Sequence, residues 1–220
     1  MKTVNKIIKF GEEVEGYSIP VLNEREIRAS AGIMFLAISI ALIMIIANGD
    51  FLLIKYVVTI FLTDFIIRVF VNPKFSPSLI IGRLIVSRQV PEYVGAAQKK
   101  FAWKIGIALS ALMFILLVIV NSYSVITVIT CFMCLTFLFF ETAFGICLGC
   151  LFYSLFYKKE TQLCAGETCD ATNKKDIQKI SWVQVFTLFG FFVFILLTIL
   201  YLNDRLRIAP ANLKTIINSL

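Results

Sequence analysis

Histidine is absent from all 220 residues. Without imidazole the chain lacks the commonest metal ligand and the usual base of a Ser–His or Cys–His pair. Charge is scarce too: Asp, Glu, Lys and Arg make up 16% of the chain, against about 25% in ordinary globular domains. No Gly-rich loop of the phosphate-cradling type is present, which argues against a nucleotide-driven pump. What is abundant is apolar. Hydrophobic residues account for 59%, phenylalanine occurs 21 times, and mean hydropathy is +0.88. A soluble fold of 24.9 kDa has too much surface for its volume to hide that material. The composition predicts an all-α, polytopic membrane helix bundle.

Five stretches are long and apolar enough to cross a bilayer: 31–47, 51–71, 105–120, 125 to about 145, and 182–202. A crossing takes about 20 residues, because each adds 1.5 Å to a hydrocarbon core roughly 30 Å thick. The third is short and is expected to begin near Phe101. Lys and Arg counts in the segments before, between and after these stretches run 5, 0, 6, 0, 5 and 3. That alternation predicts a cytosolic N-terminus and an external C-terminus in a cell inner (plasma) membrane, by the excess of basic residues on cytosolic loops. The net charge of +7 thus marks topology, and nucleic acid is not an expected partner. The first apolar stretch starts too late for a cleavable signal and reads as an uncleaved span. Four segments follow: a cytosolic arm (1–19), a four-span membrane domain (20–158), a cytosolic Cys-containing loop (159–181), and a fifth span with its tail (182–220).

Several motifs recur in a fixed order. They are Val21-Leu22-Asn23-Glu24-Arg25-Glu26-Ile27-Arg28-Ala29, Asp64-Phe65-x-x-Arg68-Val69-Phe70, and Asn72-Pro73-x-Phe75-Ser76-Pro77. Gly82-Arg83-Leu84, the run from Val94 to Trp103, and Glu141-x-x-Phe144-Gly145-x-Cys147-x-Gly149-Cys150 complete the set. Together they resemble an uncharacterised family of bacterial membrane proteins, domain of unknown function 4395. The resemblance implies four spans and suggests thioredoxin-like or sulfurtransferase proteins as partners. It implies no particular reaction, and the fifth span lies outside it.

Six cysteines fall into three pairs, Cys131/Cys134, Cys147/Cys150 and Cys164/Cys169. In a reducing cytosol, lasting disulfides are not expected, which leaves transient redox or thiolate roles. Residues three apart on a helix lie about 60° apart around the axis, so each C-x-x-C pair can share a face. Cys131 and Cys134 sit among apolar neighbours and read as inert packing. Counted from Val125, Glu141 lies ~24 Å deep and Cys147 ~33 Å, which sets the Cys147/Cys150 pair at the cytosolic interface. Gly145 and Gly149 flank it, suited either to close helix packing or to a locally loosened helix. Cys164/Cys169 occupies the hydrophilic loop. Two cysteines are too few for a zinc site, so a metal would need both of the last two pairs; no metal or other cofactor is expected.

Charges inside the spans are costly and should be paired. Asp64 and Arg68, four apart, share a helix face, at ~20 and ~26 Å from Phe51. Equal depth predicts a cluster of Asp64, Arg68 and Glu141. Its role is either an interhelical clamp or a polar pocket beneath Cys147. Lys55 is expected to snorkel to the headgroups. Leu79, Ile80, Leu84 and Ile85 with Arg83 and Arg88 read as an amphipathic stretch on the inner membrane surface. Arg83 could instead bind an anion near the cysteines. Residues 98–104 read as a basic, aromatic interfacial belt. Two functions fit. In one, Cys147 is the nucleophile or sulfur acceptor and Cys150 the resolving thiol, handling thiols or reduced sulfur. In the other, the protein is a non-catalytic membrane scaffold or assembly factor.

Overall fold

The computed structural model describes residues 10–14, 17, 19–151 and 180–218. It is an all-α bundle with two minimal strand pairs. Strand β1 (Val21–Asn23) leads directly into helix α1 (Glu24–Asn48). Asn23 caps α1 by accepting from the Arg25 N–H at 3.2 Å, and Glu24 and Glu26 occupy the first turn, where the helix dipole favours acids. The helix stops at Gly49, which takes the left-handed conformation (φ +65°) and donates to the Ile45 carbonyl at 2.9 Å. Asp50 accepts from the Leu52 N–H, starting helix α2 (Leu52–Ile66), which continues as a π turn over Ile67–Val71.

A short 3₁₀ turn at Pro73–Phe75 precedes helix α3 (Pro77–Ile85), capped by Ser76 with Pro77 in the first turn. Strand β2 (Tyr93–Gly95) opens helix α4 (Ala96–Phe114), again extended by a π turn, Ile115–Ile119. Strand β3 (Ser122–Tyr123) then leads to helix α5 (Val125–Phe139), with a third π turn at Phe140–Phe144. Helix α6 (Trp182–Arg207), strand β4 (Ala211–Asn212) and the short helix α7 (Leu213–Asn218) close the chain.

Among the described residues, four helical stretches are long and apolar enough to cross a membrane: Glu24–Asn48, Ala96–Ile119, Val125–Phe144 and Trp182–Arg207. The remaining expected crossing, 51–71, is α2 with its π turn; it contains Lys55, Asp64 and Arg68. The third stretch starts well before Phe101, at Ala96, so the basic belt belongs to the helix itself. The apolar core joins α1, α2, α4 and α5 through Met34, Ile38, Phe61, Leu117 and their neighbours, with Cys131 inside it and Cys134 packed against it.

Two features place the site. First, β1 and β2 pair antiparallel, with Val21 opposite Gly95 and Asn23 opposite Tyr93. Both strands run straight into helices, so the first turns of α1 and α4 lie side by side. Second, α3 is held by protein contact along one face. It packs against the start of α1 so closely that a Cβ at Gly82 would come within 2.5 Å of the Glu26 carbonyl oxygen. Leu79, Ile80 and Arg83 are buried there, while Leu84 and Ile85 face outward.

Candidate functional site

Helix α5 ends where Gly145 adopts φ +68°, with the Arg28 guanidinium lying 3.2 Å from where its Cβ would be. Helical structure resumes at 148–151, and Cys147 accepts from the N–H groups of Cys150 and Leu151 at 2.9 and 3.2 Å. Gly149 is demanded for a different reason: a Cβ there would sit 2.5 Å from the Ala102 Cβ of α4. The Gly-x-x-x-Gly spacing thus serves both readings, a left-handed break at one end and close helix packing at the other.

The break turns Cys147 and Cys150 inward. Both are free thiols, both buried, at 7% and 5% exposure. The neighbouring Cys150 thiol, together with burial, holds the Cys147 thiol well above its usual range. The Lys99 ammonium acts the other way, favouring the thiolate. Cys131 is as buried as Cys147, at 7% exposure. Cys164 and Cys169 lie outside the described residues.

Lys99 was part of the interfacial belt in the sequence reading, but it is the centre of a buried ion cluster. Its Nζ lies 2.8 Å from Glu24 Oε2 and 2.5 Å from Glu141 Oε1. The β1–β2 pairing brings Lys99 to Glu24, and α5 delivers Glu141 from the other side. Glu141 therefore takes its ion pair from Lys99, not from Arg68, which corrects the expected three-residue cluster. Arg68 instead pairs with Asp64 at 2.7 Å and hydrogen-bonds the Ser30, Ser76 and Ser78 hydroxyls. Asp64 in turn accepts from Ser76 and from the backbone and side chain of Ser78. Those serines went unread because a hydroxyl carries no pattern of its own in a turn sequence.

Two further expectations change. Arg83 is not free to bind an anion; it is buried and paired with Glu26 at 3.0 Å. Lys55 does not snorkel either. It is 1% exposed, held by Asn121 Oδ1 (2.6 Å) and the carbonyls of Leu206 (3.1 Å) and Ile208 (2.6 Å).

A cavity of about 100 Å³ joins these parts. Its walls include Arg68, Glu141 and Cys147, so two residues that form no ion pair with each other do share one space. Among the described residues no group of three or more acidic or cysteine side chains is placed to hold a metal ion. Lys99 fills the position between the carboxylates instead.

The ordered motifs all lie in one matched segment: the family model described as Domain of unknown function (DUF4395) covers residues 22–158. The chain belongs to this family. No curated protein and no solved structure matches it. The family segment contains the dithiol, both ion clusters and the cavity, and α6 lies beyond it.

Proposed function

We propose that this multi-pass membrane protein carries out thiol–disulfide exchange through Cys147 and Cys150. The observation behind the reading is a pair of free, buried thiols at a helix break, Cys147 on the wall of a cavity, within the field of a buried ammonium. In the proposed reaction a partner disulfide is attacked by Cys147 sulfur, releasing one partner thiol. Cys150 then attacks the mixed disulfide, releasing the second. Protein dithiol and partner disulfide become protein disulfide and partner dithiol, so atoms and electrons balance. The reverse direction charges the protein from a dithiol partner, and a thioredoxin-like protein is the proposed soluble partner. Lys99 stabilises the attacking thiolate, and Glu141 opposes it.

The proposed setting is a plasma membrane crossed five times, α2 included, with the N-terminus cytosolic and the C-terminus external. The alternating count of basic residues supports it, and it places the dithiol on the cytosolic side. A reporter after Leu220 active only in the cytosol would reverse that orientation.

The chemistry is tested by equilibrating the purified protein in lipid with glutathione buffers from about −320 to −120 mV and counting free thiols by mass spectrometry. Loss of two thiols together, at one midpoint and only when both Cys147 and Cys150 are present, is expected. Alkylation of Cys147 should be slow at neutral pH and accelerate as pH rises beyond the ordinary thiol range, because only the thiolate reacts and its pKa is raised. No disulfide at any potential would favour the second reading, a scaffold whose buried charges serve as interhelical clamps. The full pairing of Lys99 with both Glu24 and Glu141 is the observation on that side.

A further inference from the structure

We propose that the cavity beside Cys147 binds a lipid-soluble, quinone-class two-electron acceptor, which oxidises the Cys147/Cys150 dithiol. This rests on the dithiol reading above and supplies its oxidant.

The cavity has two ends. Ile38, Phe61 and Leu138 line the apolar end, toward the core of the bundle, and Arg68, Glu141 and Cys147 line the other. Such a gradient suits a molecule with a polar head and an apolar body, drawn from lipid rather than from water. At about 100 Å³ the space is smaller than the roughly 150 Å³ that holds benzene, so a ring fills the cavity and its mouth together. It is partly open rather than sealed, which leaves room for a tail.

The polar end carries an unused donor. Arg68 is 3% exposed, and its hydrogen bonds run through Nε and Nη2; among the described residues Nη1 has no partner. Nη1 is therefore free to donate to a ligand in the cavity, and an apolar cavity is a poor place for water. The same guanidinium lies 5.0 Å from the Phe65 ring centroid and 5.3 Å from that of Trp103. Both rings belong to the cavity wall. A flat conjugated ring with a carbonyl oxygen satisfies the donor and packs on the aromatic walls. Cys147 on the same wall, with Cys150 three residues on, makes that ligand a reactant.

In the reaction, Cys147 sulfur adds to the ring and Cys150 sulfur displaces it, forming the S–S bond. Two electrons and both thiol protons pass to the quinone, which leaves as quinol. Arg68 Nη1 steadies the oxygen on which negative charge develops. A soluble dithiol partner then reduces the disulfide, so the net change is dithiol plus quinone to disulfide plus quinol.

The test uses the full-length protein in lipid nanodiscs, fully reduced and free of oxygen, mixed with decylubiquinone. Quinol formation is followed by absorbance and the protein by mass spectrometry. One quinol per protein with loss of two hydrogens, and no reaction in Cys147→Ser, is the expected result. Ala31→Phe, which fills the cavity from α1, should raise half-saturation by decylubiquinone at least tenfold while leaving oxidation by glutathione disulfide unchanged. Oxidation by glutathione disulfide but not by decylubiquinone would overturn this inference and leave the dithiol reading intact. Failure of both oxidants would overturn both. A mass gain equal to the quinone, or quinol formation indifferent to Ala31→Phe, would mean reaction outside the cavity and would also overturn it.

Discussion

The family segment and the helix that follows it are held in different ways. Within 22–158, α1, α2, α4 and α5 share a core and are clamped at one end by ion pairs, Lys99 with Glu24 and Glu141, Arg68 with Asp64, Arg83 with Glu26. Helix α6 buries only 6% of its most apolar window. It is attached near its ends by single hydrogen bonds. Gln184 donates to the Lys74 carbonyl at 3.0 Å, Tyr56 to Asn203 at 3.1 Å, and Lys55 to the carbonyls of Leu206 and Ile208. A parallel pairing of β4 with β3 completes the attachment. Charge in lipid is expensive, so paired charges specify which helices meet. A helix that offers lipid nearly all its surface needs only anchor points.

The largest effect should come from Lys99→Met, which strands two carboxylates and should cost about 3–5 kcal/mol. Unfolding in mild detergent would measure it; a loss under about 1 kcal/mol would mean the clamp does not hold the segment together. Arg68→Leu comes next, leaving Asp64 without its cation but still hydrogen-bonded to Ser76 and Ser78, so a loss toward the lower end of that range is expected. Lys55→Met removes the charged donor to two carbonyls and should cost about 1.5–3 kcal/mol. Its signature is local: hydrogen exchange should speed up at the end of α6 and stay unchanged in α1 and α4. Equal loosening everywhere would erase the distinction between the two regions. Tyr56→Phe, which deletes one neutral hydrogen bond, should cost about 0.5–1.5 kcal/mol, read by the same exchange experiment.

Legibility followed the same division. The helices along the spans could be read because a bilayer demands about 20 apolar residues and leaves backbone groups no partner but the helix. Asp64 and Arg68 could be paired because four residues is a fixed geometric relation. Glu141 could not be assigned its partner, since depth along one helix says nothing of direction around it. Lys99 was the missing cation, and only the β1–β2 pairing reveals that it stands beside Glu24. Arg83 misled for the opposite reason: an amphipathic nine-residue helix reads the same whether it lies on lipid or against α1.

By itself, the sequence determined the membrane class, the helical stretches and the spacing of the cysteines, all relations between near neighbours on a chain of known geometry. Tertiary structure alone decided that Cys147 and Cys150 turn inward, that Lys99 joins Glu24 to Glu141, and that Lys55 holds the end of α6. Those contacts join segments as much as 153 residues apart. Which helices face one another is settled by the packing of whole surfaces, and no local spacing encodes it.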